Sequence, residues 1–421
     1  MYRSIQLSLI SFSVLLLLTA GNAIGDENLP DDSHTVAGIE QLGARVTLNP
    51  TGQVTSISFD RTNVTDASLE LLQGLSQLRA INLNRTEITD AGLQHLAGLT
   101  KLESLGVWDT QITDAGLIHL KDLKSLFFIN LENTEITDAG LVHFKDLTRL
   151  SILILIGTNI TGSGLENLTG LPLLSSLSLS GTEITEEGLV HLNGMENLTR
   201  LDLGNCSLTD DRLNHLAGMI QLKSLALYYN SGITDVGVEH LTGLTELRRL
   251  FLSGTKVTDA GLASLDEMTN LELLWLSYTQ ITDEALKRVG MLRELRELRL
   301  DSTNISDSGL ASLADLVNME QLFLSSTNIA GEGFRHLGRL GKLEKLFASR
   351  TKIEDAGAAQ IRNFKKLRTL DLHGNLGITD ASLEHLAGLS ELKYVNVSDT
   401  QVTDSAIKSL KRSLPECRIR H

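Results

Sequence analysis

The sequence predicts an α/β solenoid of horseshoe form. About 15 strand–turn–helix repeats of 24 residues would stack with parallel strands on the concave face and helices on the convex face. Three observations predict it. An acid or its substitute recurs at Asp66, Asp90, Asp114, Asp138, Gly162, Glu186, Asp210, Asp235, Asp259, Asp283, Asp307, Gly331, Asp355, Asp380 and Asp404, in twelve steps of 24 and two of 25. Hydrophobic residues make up 42% of the 421-residue chain but aromatics only 4%, which argues against several separate enzyme-like cores. The hydrophobic period also switches inside each unit, from two to about three.

The amino terminus reads as an export signal over residues 1–23. Arg3 precedes a short apolar run, Leu7 to Ala20, and small residues follow it. That run is too short to span a bilayer, so no membrane span is expected after signal removal. Residues 24–42 read as a linker. The amphipathic stretch Arg45-Val-Thr-Leu48 and the turn Asn49-Pro-Thr-Gly52 read as a hairpin that covers the open end of the core. In each repeat Leu-x-x-Leu-x-Leu alternates as a strand does, and Asp-Ala-Gly-Leu-x-His-Leu-x-x-Leu keeps its leucines on one helical face. The Asp is placed to cap its own helix. Strands stack about 4.8 Å apart and helices about 8–10 Å, so the stack must curve. The tail 415–421 would close the carboxyl end beside a truncated extra strand.

The unit is clearest from Leu102 to Leu120, where it contains Thr110-Gln-Ile-Thr-Asp-Ala-Gly-Leu-Ile-His-Leu120. Over about residues 43–414 this resembles the leucine-rich-repeat family. The variant is similar to exported bacterial members, and its helix motif is similar to the repeats of F-box ubiquitin-ligase receptors. It departs from animal and plant extracellular members in lacking cysteine-stapled caps.

Most polar columns follow from the repeat. A short polar residue after each strand, Thr86, Thr110 and Thr134 among them, can satisfy backbone groups where the chain turns. Cys206 occupies this column and Cys417 lies in the tail, too far away to pair with it. Acids at 13 of the 15 anchor positions account for most of the net charge of −15, which opposes a nucleic-acid partner. His95, His119, His143, His191, His215, His240, His336 and His385 share one register, which the repeat explains without a metal. No cofactor and no metal site is expected, and no catalytic motif stands out from the background.

Recognition is expected where consensus ends. Repeats eight to thirteen carry Tyr228, Tyr229, Phe251, Trp275, Tyr278, Phe323 and Phe347 on variable strand positions. Five neighbouring strands read Phe251, Trp275, Arg299, Phe323 and Phe347 at one register, with Arg249 and Arg350 alongside. A water-facing ladder of this kind would bind a partner. Its competing role is self-stacking that stiffens the sheet. A second patch, Trp108, Phe128, Ile152, Ile154 and Ile156, marks repeats three to five, and repeat five is apolar on both faces. The leading expectation is an exported, non-enzymatic protein, secreted, periplasmic or on the cell surface, that binds a protein or peptide. The alternatives are an F-box-like ubiquitin-ligase receptor, which cytosolic retention would favour, and a carbohydrate or cell-wall binder using aromatic stacking.

Overall fold

A computed structural model describes residues 33–421. The export signal lies outside the described residues. Within the segment read as a linker, Ser33–Gln41 forms a helix, α1, and Ile39 on it is fully buried in the core. Strand β1 (Arg45–Leu48) then pairs antiparallel with β2 (Val54–Ser58), the expected hairpin. Each later strand pairs in parallel with the one before it, from β3 (Ala80–Asn82) to β17 (Arg418–Arg420). The result is one 17-stranded sheet in a curved solenoid, with β17 as the expected truncated extra strand.

Leucine spacing determines the interior. Leu105, Leu153, Leu201 and Leu250 sit mid-strand and are almost completely buried in one cluster that runs the length of the stack. Helical leucines such as Leu93, Leu117 and Leu141 close it from the other side. The convex segments are shorter than full helices. They are α or 3₁₀ pieces of three to seven residues, such as Asp90–Leu93 followed by Gln94–Leu96. A 24-residue unit leaves room for about two turns before the next strand begins. Among the described residues only the last helix, Asp404–Ser413, reaches ten residues.

The acidic column does a different job from the one its spacing suggests. The preceding Thr is the helix cap: Thr89, Thr113 and Thr137 accept through Oγ1 from Ala91, Ala115 and Ala139 N–H at 3.3–3.4 Å. The carboxylate reaches the next repeat instead. Asp66 accepts from Thr89 N–H at 2.8 Å and Thr89 Oγ1 at 2.6 Å. Asp90 does the same for Thr113, Asp210 for Thr234 and Asp380 for Thr403. Charge-assisted bonds of this kind are stronger than neutral ones. Where a glycine stands two residues after the acid, as in most repeats, it makes room for the rung, since a Cβ on Gly116 would overlap the Asp90 carboxylate. Thr-Asp-Ala-Gly is therefore one clamp between neighbouring repeats.

The turn column behaves as expected. Thr86 and Thr110 Oγ1 donate to the carbonyls of Leu83 and Val107. The two Asn residues of the 25-residue units do more. Asn230 donates to Leu203 and Leu227 carbonyls and accepts from Cys206 and Leu208 N–H, filling four bonds across two repeats. Cys206 and Cys417 are both buried and unpaired with each other.

Candidate functional site

The concave face is built from the third, fifth, seventh and eighth residues of each strand motif. Phe251, Trp275, Arg299, Phe323 and Phe347 stand at one register on five adjacent strands, so the ladder forms. Its rungs touch. Phe251 meets Trp275 edge-on at 4.6 Å, Arg299 lies 3.8 Å from the Trp275 ring centre and 4.2 Å from that of Phe323, and Phe323 stacks on Phe347 at 4.5 Å.

The expectation that all these rings face water needs correcting. Tyr228, Phe251 and Trp275 are 0%, 1% and 2% exposed. They lie outside the leucine interior, in a separate cluster with Ala226 on which Tyr229 and Leu273 pack. The cause is mutual cover on one face. Tyr228 lies across the neighbouring strand over Gly204, where a Cβ would overlap its ring, and its hydroxyl meets Ser180 Oγ at 3.0 Å. Trp275 Nε1 donates to Glu297 at 2.9 Å, and the same carboxylate accepts from Arg299 Nε at 2.7 Å. Self-stacking thus describes the amino-terminal half of the ladder. Arg299, Phe323 and Phe347 remain partly exposed, and Tyr278 is 43% exposed.

The second patch is also more covered than its sequence suggests. Phe128, Ile152, Ile154 and Ile156 are 3–9% exposed and form their own cluster, with Phe127 packed against it. Phe128 and Ile152 face each other across adjacent strands. Trp108 is apart from them, half-buried under the Arg85 guanidinium at 4.2 Å. Arg85 is also paired with Asp60 at 2.8 Å.

Two features escaped the sequence reading. The eighth residue of the motif is left-handed in repeat after repeat, including Tyr229 (φ 56°) and Tyr278 (φ 60°), a costly conformation for a bulky side chain. Gly157, Gly181, Asn133 and Asn205 in that column are the signal that could have shown it. The face also holds buried acids, Asp202, Glu297 and Asp301. Among the described residues no three His, Cys, Asp or Glu side chains converge as a metal site would require.

A family model described as a leucine-rich repeat region matches residues 53–314, more than half of the chain. The chain belongs to the leucine-rich-repeat family. Its solved structural likenesses include a leucine-rich-repeat protein of Leptospira interrogans, with TM-score 0.51 and 18% identity over 84% of this chain and 80% of that one. TLR13 in complex with ssRNA13 gives TM-score 0.51 and 20% identity over 83% of this chain and 59% of that one. The internalin InlF of Listeria monocytogenes str. 4b F2365 gives 0.46 and 20% over 92% and 93%. At such identities the likeness is one of fold. No curated protein matches the sequence. Leucine-rich-repeat scaffolds typically bind partners without catalysing reactions.

Asp202 gives this leucine-rich-repeat sheet a pH dependence. Burial pushes its carboxyl up to about 6, against hydrogen bonds from Gly204 N–H, Ser178 and Tyr228 that favour the anion. The folded state therefore holds a proton between about pH 4 and 6 that the unfolded state has released. Stability is lost as pH rises through that window, by about 3 kcal/mol from this group. Asp202→Asn should flatten the fall by that amount in denaturant titrations at pH 4 and 6.5. An unchanged fall would show that Asp202 ionises freely in the folded protein.

Proposed function

We propose that this is an exported, non-enzymatic recognition protein that holds a protein or peptide on its concave face, centred on repeats ten to thirteen. The observation that carries the reading is the partly exposed run Arg299–Phe323–Phe347 on consecutive strands, with Tyr278 beside it. Stacked rings and an arginine already held by Glu297 form a pre-organised contact surface, which lowers the ordering cost of binding. Aromatic and arginine side chains are the usual anchors of interfaces. Tyr229 and Tyr278 would extend that surface, while Tyr228, Phe251 and Trp275 would support it from below. The patch at Trp108 and Phe128–Ile156 would be a secondary contact. Export to the envelope or beyond rests on residues 1–23. TLR13 is solved with an RNA, but a net charge of −15 opposes that ligand class for this chain.

The test is a pull-down with the mature chain against its host's envelope fraction, followed by affinity measurement on the protein captured. Phe323→Ala with Phe347→Ala should weaken binding at least about tenfold, because each removes an anchor ring. The circular dichroism spectrum should stay that of the parent. Undiminished affinity in the folded double variant would remove the assignment.

A further inference from the structure

The third strand position places Arg200, Ser224 and Arg249 side by side on three adjacent strands of the concave face. Two strand steps put the Arg200 and Arg249 backbones about 10 Å apart. Both side chains are half-buried. On this face Arg85 is ion-paired with Asp60 and Arg299 with Glu297, although Arg85 Nε makes no hydrogen bond either. Arg200 lacks such a pair among the described residues, and its Nε is buried without a hydrogen-bond partner.

The nearest acid along its own strand does not compensate it. Asp202 turns its carboxylate to Gly204 N–H, Ser178 Oγ and Tyr228 Oη. Burial and the Arg249 charge both lower the pKa of Arg200, which marks a cation held in an unfavourable place. A guanidinium does not discharge in a protein, so that cost stands. The fold has no need of it, since the same column carries serine at Ser176 and Ser224.

We infer that Arg200 and Arg249 form a carboxylate-binding subsite on the concave face, with Ser224 between them. This rests on the reading of that face as the partner surface, and adds that the partner presents a carboxylate there. Guanidinium forks match a carboxylate's two oxygens, and a single negative charge avoids the repulsion that a polyanion would meet from so acidic a chain.

The test follows the Arg200 Nε–H resonance in the full chain labelled at arginine. N-acetylglutamate α-amide supplies a side-chain carboxylate, N-acetylalanine a terminal one, and inorganic phosphate a dianion, each compared with chloride at equal ionic strength. The resonance should shift saturably with a carboxylate, and which of the first two acts more strongly identifies the source. Arg249→Gln should abolish the shift. Arg200→Gln should melt no lower than the parent, because it removes an uncompensated charge. No saturable shift, a response to phosphate alone, or a lower melting temperature in Arg200→Gln would overturn the subsite. If partner capture survives while the carboxylate response is absent, only the subsite fails. If the carboxylate response persists while Phe323→Ala with Phe347→Ala leaves affinity unchanged, only the repeat ten-to-thirteen surface fails.

Discussion

Gly162→Asp should destabilise the protein by about 3 kcal/mol or more, although it restores the commonest residue of its column. Consensus replacement normally stabilises a repeat protein. Here it meets two obstacles. Gly162 sits at φ 109°, where an L side chain is strained. A Cβ built on it lies 2.5 Å from the Gly188 backbone of the next repeat and 2.5 Å from Ile184. Repeats five and six approach so closely because the usual rung is missing. Thr185 N–H bonds instead to the Thr161 carbonyl at 2.8 Å. Asp138, one repeat earlier, accepts from the Gly162 and Gly164 N–H groups at 2.9 Å. An acid at 162 would force the two backbones apart and leave those bonds stretched. Glu186→Asp, in the same column but with a largely exposed carboxylate that meets only His215, is the control and should change stability by less than about 0.5 kcal/mol. Urea unfolding followed by circular dichroism measures both. A neutral or stabilising Gly162→Asp would mean that this junction is no tighter than the others.

The same junction shows what could and could not be read from the chain. The 24-residue period, the strand and helix halves and the amino-terminal hairpin were legible because each follows from the spacing of apolar residues. The clamp was not. Asp66 and Thr89 are each a good local cap, and nothing in a linear sequence shows that the carboxylate prefers a hydroxyl and an amide 23 residues away. The ladder was legible as a column, since alternation tells which face a side chain takes. Its depth was not, because the cover comes from other residues of that face. Tyr228 is hidden only because Gly204 lets it lie flat across the adjoining strand. Helix α1 reads as linker in the sequence because it lies outside the repeat and carries only two large apolar residues, Val36 and Ile39.

Trp275→Ala should cost about 3–5 kcal/mol of stability, so loss of binding in that variant would say nothing about contact with a partner. The indole is 2% exposed, packs edge-on against Phe251 and carries the Arg299 guanidinium on its face. Its Nε1 is one of two donors to Glu297, which is itself 9% exposed. Truncation opens a cavity and removes one of the two hydrogen bonds that carboxylate accepts, so transfer, cavity and lost-bond costs add. Trp275→Phe keeps most of the ring and loses the Nε1 bond, and should fall between parent and alanine. Tyr278→Ala, at an exposed ring on the same repeat, should cost less than about 1 kcal/mol. That contrast separates the supporting layer from the contact layer. Equilibrium urea unfolding of the three variants supplies the comparison. If Trp275→Ala proved no less stable than Tyr278→Ala, the indole would have to be open to solvent, and the division of the ladder into a buried half and an exposed half would be wrong.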